Sequence, residues 1–157
     1  MSLSSTDQLD PSMRLCLIAD RSDLSRRDLA RLMVARGYTV VTVATGADLL
    51  HEAKLLQPAL MLVGTHLTDE SGICAISRVR QTRVVGHPAV LYVAQGLASD
   101  TAFDAVVAGA DDYIAQPFDG DMLDFKLTQL AARGRLVGVS TPEAGSAAPK
   151  LRLVRRA

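Results

Sequence analysis

The sequence has little aromatic surface and no net charge, and each shortage excludes a class of partner. Its 157 residues include no tryptophan, three tyrosines and three phenylalanines. Proteins that bind single-stranded nucleic acid stack bases on aromatic side chains, and this chain offers no such platform. Lysine plus arginine number 17, as do aspartate plus glutamate, so no global field favours nucleic acid or an anionic membrane. We therefore expect the folded domain to bind neither.

Cysteine and long apolar runs are equally scarce. Cys16 and Cys74 lie in apolar stretches without a Cys-x-x-Cys or Cys/His companion, which argues against a disulfide framework and a zinc site. We interpret both as reduced, buried thiols of a cytoplasmic protein. No apolar run approaches the roughly 18 residues of a membrane-spanning helix, and residues 1–12 are polar, unlike a signal peptide.

Five short apolar runs alternate with five helical patterns along the chain. The first, third and fourth runs are continuously apolar, which is typical of strands buried on both faces of a parallel sheet. The second also alternates weakly, which favours a position near an edge. The runs are residues 15–18, 40–43, 60–63, 89–93 and 112–114. Short connections between strands and helices predict a parallel sheet that is covered on both faces.

The helical patterns carry recognisable ends and apolar stripes. Ser22 is suited to cap the first helix, and Asp119 is suited to the N-terminus of the fifth. The stripe of each helix is expected to face the sheet. In the fourth helix this stripe consists of Phe103, Val106 and Val107, and we predict that these side chains point inward.

Residues 109–118, Gly-Ala-Asp-Asp-Tyr-Ile-Ala-Gln-Pro-Phe, resemble the last-strand signature of the bacterial response-regulator receiver domain, which usually ends in Lys-Pro-Phe. Other features lie in family register: the first strand with its acidic end at Asp20, a Gly-Tyr pair before the second strand, and Gly72 beyond the third strand. The resemblance covers roughly residues 14–135. It implies a flavodoxin-like (βα)5 fold, a single doubly wound parallel sheet with strand order 2-1-3-4-5.

The resemblance also implies which positions carry the family's chemistry. In the family an aspartate accepts a phosphoryl group, further carboxylates hold magnesium, and a hydroxyl and a lysine bind the phosphoryl oxygens. Here Ala19 and Asp20 stand at the acidic pair, Gly64 at the phosphoacceptor, Val93 at the hydroxyl and Gln116 at the lysine. Only Asp20 keeps the family's residue type. The resemblance therefore implies a degenerate pseudo-receiver with no catalytic residue, no cofactor and a lost magnesium site.

Part of the family's switch persists in the sequence. Tyr113 lies three residues before Gln116, where the family has its rotating aromatic side chain. The resemblance implies a cis peptide before Pro117. Because Val93 replaces the hydroxyl, Tyr113 lacks the partner that couples it to phosphorylation. Tyr113 is then either a remnant of the switch or an ordinary half-buried tyrosine at a strand end.

The loop after the third strand offers a different acceptor. Asp69 and Glu70 lie in this loop, and Asp69 is a candidate for a displaced phosphoacceptor, whereas the simpler interpretation is a solvated acidic turn. His66 lies in the same loop and is interpreted as a surface histidine. None of the three histidines has metal-ligand spacing with another histidine or a cysteine.

A second alternative is a small-ligand sensor. Open parallel sheets bind ligands beyond the carboxyl ends of their strands, near the reversal of strand order. The sequence contains no glycine-rich phosphate loop, which argues against a nucleotide. The residues expected to line this crevice are Asp20, Gly64, Thr65, Val93 and Gln116.

The sequence divides into a disordered leader at residues 1–12, a receiver-like domain at residues 13–135 and a flexible basic tail or linker at residues 136–157. We predict a module of bacterial signal transduction that is not an enzyme and acts without phosphorylation, by binding a signalling protein or its own effector domain. The resemblance implies an interface, including a homodimer, on the fourth helix, fifth strand and fifth helix. The charged candidates there are Asp104, Asp111, Asp112, Asp119, Lys126 and Arg133.

Overall fold

The computed structural model describes residues 14–83, 87–96 and 99–136. Strands and helices alternate within these residues, and we number each kind in chain order. The strands are β1 Leu15–Ala19, β2 Thr39–Val43, β3 Leu60–Gly64, β4 Ala89–Gln95 and β5 Asp112–Gln116. The helices are α1 Asp23–Val34, α2 Gly46–Leu56, α3 Gly72–Thr82, α4 Ser99–Ala108 and α5 Gly120–Ala132. The predicted leader and residues 137–157 of the predicted tail lie outside the described residues.

The five strands form one parallel sheet in the order β2-β1-β3-β4-β5, which confirms the predicted flavodoxin-like fold. β1 and β3 are buried along their whole lengths, as continuously apolar central strands must be. β2 lies at an edge, as its weak alternation predicted, and its two threonines are exposed. No helix in the described ranges is both long and apolar enough to cross a membrane.

The predicted helix caps are present. Ser22 Oγ accepts a hydrogen bond of 3.2 Å from the backbone N–H of Ser25. The Asp119 carboxylate accepts one of 2.9 Å from the N–H of Met122. Each bond satisfies a donor that the first helical turn leaves without an intrahelical partner.

Two apolar layers cover the faces of the sheet. Side chains alternate along each strand, so Leu17 of β1 lies in one layer and its neighbour Ile18 in the other. The α2–α4 layer is completed by buried residues of α2, α3 and α4. The α1–α5 layer is completed by buried residues of α1 and α5, including Leu29 and Leu127.

The predicted orientation of α4 is wrong. Phe103 and Val107 are 69% and 70% exposed, Val106 is also exposed, and Ala105 is the residue that packs in the α2–α4 layer. Tyr92 of β4, which is fully buried, fills the same layer. We infer that a helix can pack over this large side chain only through its small residues. The largest apolar side chains of α4 therefore face solvent.

The prediction for the two cysteines is half right. Cys16 is buried in β1, and burial raises the pKa of its thiol. Cys74 is exposed, so the prediction of a buried thiol at this position is wrong. The buried stripe of α3 includes Ala75, Ile76 and Val79, and Cys74 lies outside it.

An ionic cluster closes the amino edge of the sheet. The Asp111 carboxylate accepts hydrogen bonds from Arg80 at 3.0 Å, from Arg135 at 2.7 Å and from the N–H of Val90 at 2.8 Å. Burial raises the pKa of Asp111, but the bonds from Arg135 and Val90 and the charges of both arginines lower it more, so the pKa lies below its ordinary value. Leu136 follows Arg135 and is buried in the α1–α5 layer, so packing continues one residue beyond the predicted boundary.

The Tyr92 hydroxyl is buried and has no hydrogen-bond partner among the described residues. An unsatisfied buried hydroxyl destabilises the fold, so we expect Tyr92→Phe to raise the free energy of unfolding by about 1 kcal/mol. Urea denaturation measures this change. Tyr113→Phe is the control because Tyr113 is exposed, and it should change stability by less than about 0.5 kcal/mol. A clear loss of stability in Tyr92→Phe would show that the hydroxyl has a partner.

Candidate functional site

The strand register brings most of the predicted site residues to the carboxyl edge of the sheet. Gly64 ends β3 and pairs with Val93 of β4, and Gln116 ends β5. Asp20 follows β1, whose neighbour in the sheet is β3. Ala19 is separated from this group because it is fully buried in the α2–α4 layer, whereas Val93 packs in the α1–α5 layer.

Asp20 is the only charged or polar residue that is fully buried among the described residues, with 4% of its surface exposed. Its Oδ1 accepts a 2.8 Å hydrogen bond from the N–H of Ser22, and its Oδ2 accepts a 3.3 Å bond from the Ser25 hydroxyl. Its backbone carbonyl accepts a 2.7 Å bond from Arg26. The carboxylate is thus held by the first turn of α1, where helix N–H groups favour negative charge.

The Asp20 side chain occupies the space beside Gly64. A Cβ at position 64 would lie 2.8 Å from Cγ of Asp20 and 3.3 Å from its Cβ, and would collide with its Oδ2. On the other side, a Cβ at Gly72 would collide with the carbonyl oxygen of Gly64. Gly72 therefore lets α3 approach β3 closely, and Gly64 leaves room for the Asp20 carboxylate.

The other side chains at this edge are engaged or apolar. The Thr65 hydroxyl donates a 3.2 Å bond to the carbonyl of Val93 and accepts a 3.2 Å bond from the N–H of Gln95. Thr65 thus ties the end of β3 to β4. The Val93 side chain is buried. The peptide between Gln116 and Pro117 is cis, as predicted.

The side chains at this edge offer few oxygen ligands to a magnesium ion. The ion requires near-octahedral oxygen coordination and is usually held by one or two carboxylates together with phosphate oxygens. At this edge Asp20 is the single carboxylate among the predicted site residues, and its oxygens accept bonds from the cap residue Ser22 and from Ser25 of α1. The described residues contain no group of three or more histidine, cysteine, aspartate or glutamate side chains that could hold a metal ion.

Asp69 lies at a helix N-terminus. Its Oδ1 accepts a 2.7 Å bond from the N–H of Gly46, and its Oδ2 accepts a 3.2 Å bond from the N–H of Ala47. The bond from Gly46 is the main cause that lowers the pKa of Asp69. Glu70 forms an ion pair with Arg78. Asp69 and Glu70 thereby attach the acidic turn to α2 and α3. The His66 side chain, in the same loop, is exposed.

Tyr113 points outward at the sheet edge and is 41% exposed. The Lys126 ammonium lies 4.8 Å from the centre of its ring, within the range of a cation–π contact. The same ammonium donates a 3.1 Å bond to Asp112. A side chain of α5 therefore holds Tyr113 in this orientation.

The charged candidates for an interface have internal partners. Asp111 binds Arg80 and Arg135 at the amino edge, and Asp112 binds both Lys126 and Arg133. Asp119 caps α5 and, like Asp104, is exposed. Four of the six candidates, Asp111, Asp112, Lys126 and Arg133, therefore form ion pairs within the chain.

Sequence reasoning missed Ser25 and Arg26, which bind Asp20. One signal was present, because Ser25 lies three residues after the capping Ser22 and so returns to the same end of α1. Arg26 gave no signal, since its neighbour Asp23 offers an ordinary surface pair at the same helix end.

Comparisons with known proteins agree with this architecture. The model of the family described as "Response regulator receiver domain" matches residues 16–128. The acid tolerance regulatory protein ActR of Rhizobium meliloti is 35% identical over 115 residues, 73% of this chain and 58% of that protein. The transcriptional regulatory protein KdpE of Mycobacterium tuberculosis is 34% identical over 109 residues, 69% of this chain and 47% of that protein. The chain thus spans about half the length of these relatives.

Solved structures show the same fold. A response regulator from Chloroflexus aurantiacus superposes with a TM-score of 0.71 at 25% identity, covering 76% of this chain and 98% of that one. A response regulator from Burkholderia pseudomallei, solved with a phosphorylated aspartic acid and a calcium ion, superposes with a TM-score of 0.67 at 24% identity, covering 78% and 71%. The second similarity shows the fold alone.

The bonds to Asp69 predict a pH-dependent contribution to stability. A carboxyl whose pKa is lowered by folding stabilises the fold above its unfolded pKa, and this contribution is lost as the pH falls through the folded pKa. We expect Asp69→Asn to be less stable than the unaltered chain at pH 7. The difference should shrink once the pH falls below the ordinary value of 3.8.

Thermal unfolding between pH 7 and pH 3 measures this difference. Asp48→Asn, in the first turn of the same helix, is the matched control, and it should give a smaller change because no backbone N–H among the described residues donates to the Asp48 carboxylate, whereas two donate to that of Asp69. Equal losses in the two variants would mean that Asp69 contributes only a general charge effect at the start of α2.

Proposed function

Because the chain belongs to the response regulator receiver domain family, we propose that it is a receiver module that signals without phosphorylation. It acts by binding rather than by catalysis. Its partner is a signalling protein or an effector domain. The family assignment places the chain in two-component signalling, and the rest of the proposal is drawn from the carboxyl edge of the sheet.

One observation carries this proposal. The position at which the family has its phosphoacceptor is Gly64, and glycine has no side chain that can form an acyl phosphate. The neighbouring carboxylate of Asp20 is not a substitute acceptor at the surface, because it is buried and both oxygens accept hydrogen bonds. Phosphoryl transfer also requires charge stabilisation by a metal and a cation. Val93 and Gln116 supply neither.

The Asp69 alternative is disfavoured by the bonds that this residue makes. Each carboxylate oxygen accepts a backbone N–H at the start of α2, and the lowered pKa reflects a stabilised anion. Bonding of either oxygen to phosphorus would remove the charge of the carboxylate and so weaken these charge-assisted bonds. A capping role accounts for Asp69 without any transfer chemistry.

The small-ligand alternative is disfavoured by how the crevice is filled. Asp20 occupies the space beside Gly64, and Val93, which pairs with Gly64 in the sheet, is buried. The Thr65 hydroxyl is already bonded to both Val93 and Gln95. A ligand at this edge would therefore meet a buried carboxylate and few free donors.

An exposed apolar surface supports a protein partner. α4 and α5 both pack against the edge strand β5, and all three elements carry large apolar side chains that face solvent. We call these side chains the α4–α5 surface: Phe103, Val106, Val107, Tyr113, Met122 and Phe125. Clustered exposed apolar residues mark interaction sites more often than scattered ones do.

We further propose that a second copy of the chain binds this surface. The charged candidates nearby are largely paired within the chain, so the contact depends on apolar burial. Aromatic side chains such as Phe103 are typical of the centre of such interfaces. A homodimer of this kind needs no phosphorylation to form.

Labelling experiments test the loss of phosphorylation. Incubation with acetyl phosphate and magnesium should give no mass increase, and beryllofluoride with magnesium should leave the amide chemical shifts unchanged. Gly64→Asp alone should also remain unlabelled, because the metal ligands, hydroxyl and lysine are still missing. A phosphorylatable receiver domain under the same conditions is the positive control. Transfer of one phosphoryl group to the unaltered chain would refute the proposal, and its loss in Asp69→Asn would identify the acceptor.

Light scattering after size-exclusion chromatography tests the homodimer. We expect the unaltered chain to show dimer at high concentration and Phe103→Asp to be monomeric, because a buried charge at the contact is unfavourable. Leu55→Asp is the matched control, since Leu55 is 67% exposed on α2 and Phe103 is 69% exposed on α4. A monomer at every concentration, or equal effects of the two substitutions, would exclude this surface as the dimer contact.

A further inference from the structure

We propose that Asp20 is the internal occupant of the receiver crevice, where its carboxylate fills the space of the missing side chain at position 64. This inference rests on the proposed function, because it concerns a crevice that is not phosphorylated. It gives Asp20 a different role from that of a leftover metal ligand. The residue closes the crevice and holds the carboxyl edge of the sheet in one conformation.

The first argument is steric. A Cβ at position 64 would lie 2.8 Å from Cγ of Asp20, too short for two carbon atoms that are not bonded. The present position of Asp20 and any side chain at position 64 are therefore mutually exclusive. Asp20 can take its present position only because position 64 has no side chain.

The second argument is the set of bonds that holds the carboxylate. A buried anion is costly unless hydrogen bonds compensate it. Asp20 receives one bond to each carboxylate oxygen, from the N–H of Ser22 and from the hydroxyl of Ser25. Arg26 binds its backbone carbonyl and brings a positive charge to the same turn. These partners are the cap residue of α1 and two residues of its first turn, so the carboxylate is directed away from solvent and toward the helix.

The third argument is what surrounds Gly64. The first residue of α3, Gly72, packs so closely that a Cβ there would meet the carbonyl oxygen of Gly64. The N–H of Gly72 also donates a 2.9 Å bond to the carbonyl of Thr65. Asp20 on one side and Gly72 on the other thus enclose the end of β3. A cation or anion could reach Gly64 only after Asp20 moved.

A double-mutant cycle tests the occupancy. Gly64→Ala adds one methyl group where Asp20 lies, so we expect a lower urea midpoint of unfolding. In the Asp20→Ala background the same substitution should be tolerated, because its space is then free. The coupling should change the folding equilibrium constant by about tenfold, which lies within the range for residues in direct contact. Additive effects of the two substitutions would refute the occupancy.

Gly46→Ala is the matched control. A Cβ at Gly46 would also collide with an acidic side chain, but with that of Glu70. Its effect should therefore be the same with and without Asp20→Ala. If Gly64→Ala alone does not fold, rescue of cooperative unfolding by Asp20→Ala supports the proposal, and failure of rescue counts against it.

A measurement on the unaltered chain is independent of these variants. Manganese(II) broadens the amide signals of residues near its binding site, and we expect no localised broadening at Asp20, Gly64 or Thr65. Localised broadening there would show that the crevice is open to a divalent cation and would overturn the closure.

The two proposals can fail separately. Additive effects of Gly64→Ala and Asp20→Ala on stability, without phosphoryl labelling, would leave the proposed function standing, whereas labelling by acetyl phosphate would refute the function itself.

Discussion

The burial of a parallel sheet on both faces is the constraint on which the rest of the molecule depends. β1, β3 and β4 each have a neighbouring strand on both sides, so helices must cover both faces of the sheet. Apolar side chains fill both layers, and polar side chains of the sheet are left to its edges. The carboxyl edge holds Asp20, and the amino edge holds Asp111. Both aspartates are held by hydrogen bonds to several partners, because a carboxylate near a core is otherwise unstable.

Much of this architecture could be predicted from the sequence. Continuous apolar runs identified the central strands, and Ser22 and Asp119 marked helix starts through their hydrogen-bonding side chains. Strand order came from the family resemblance. The orientation of α4 could not be predicted from periodicity, because it depends on the volume that Tyr92 occupies in the same layer. Periodicity predicts that the most hydrophobic residues of a helix face the sheet. Over the large ring of Tyr92 only small side chains fit, so α4 packs through alanine instead.

The candidate site shows a similar division. The family resemblance was enough to bring Asp20, Gly64, Val93 and Gln116 to one edge of the sheet. It did not reveal that the Asp20 carboxylate turns toward Ser22 and Ser25, because the direction of a side chain follows from local donors and free space. It also left Asp69 as a candidate acceptor. The structure adds that both Asp69 oxygens accept backbone N–H bonds at the start of α2, from Gly46 and from Ala47.

The cluster at the amino edge has a mechanical consequence. Arg135 binds Asp111 and the carbonyl of Pro88, which lie just before β5 and β4, and the next residue, Leu136, is buried. The two residues Arg135 and Leu136 therefore attach the chain after α5 to the sheet, so this end of the helix is not frayed. A force that pulls on the chain after Leu136 would therefore be transmitted through Arg135 to the starts of β4 and β5. The domain would then rotate as a rigid unit, and α5 would not unwind first.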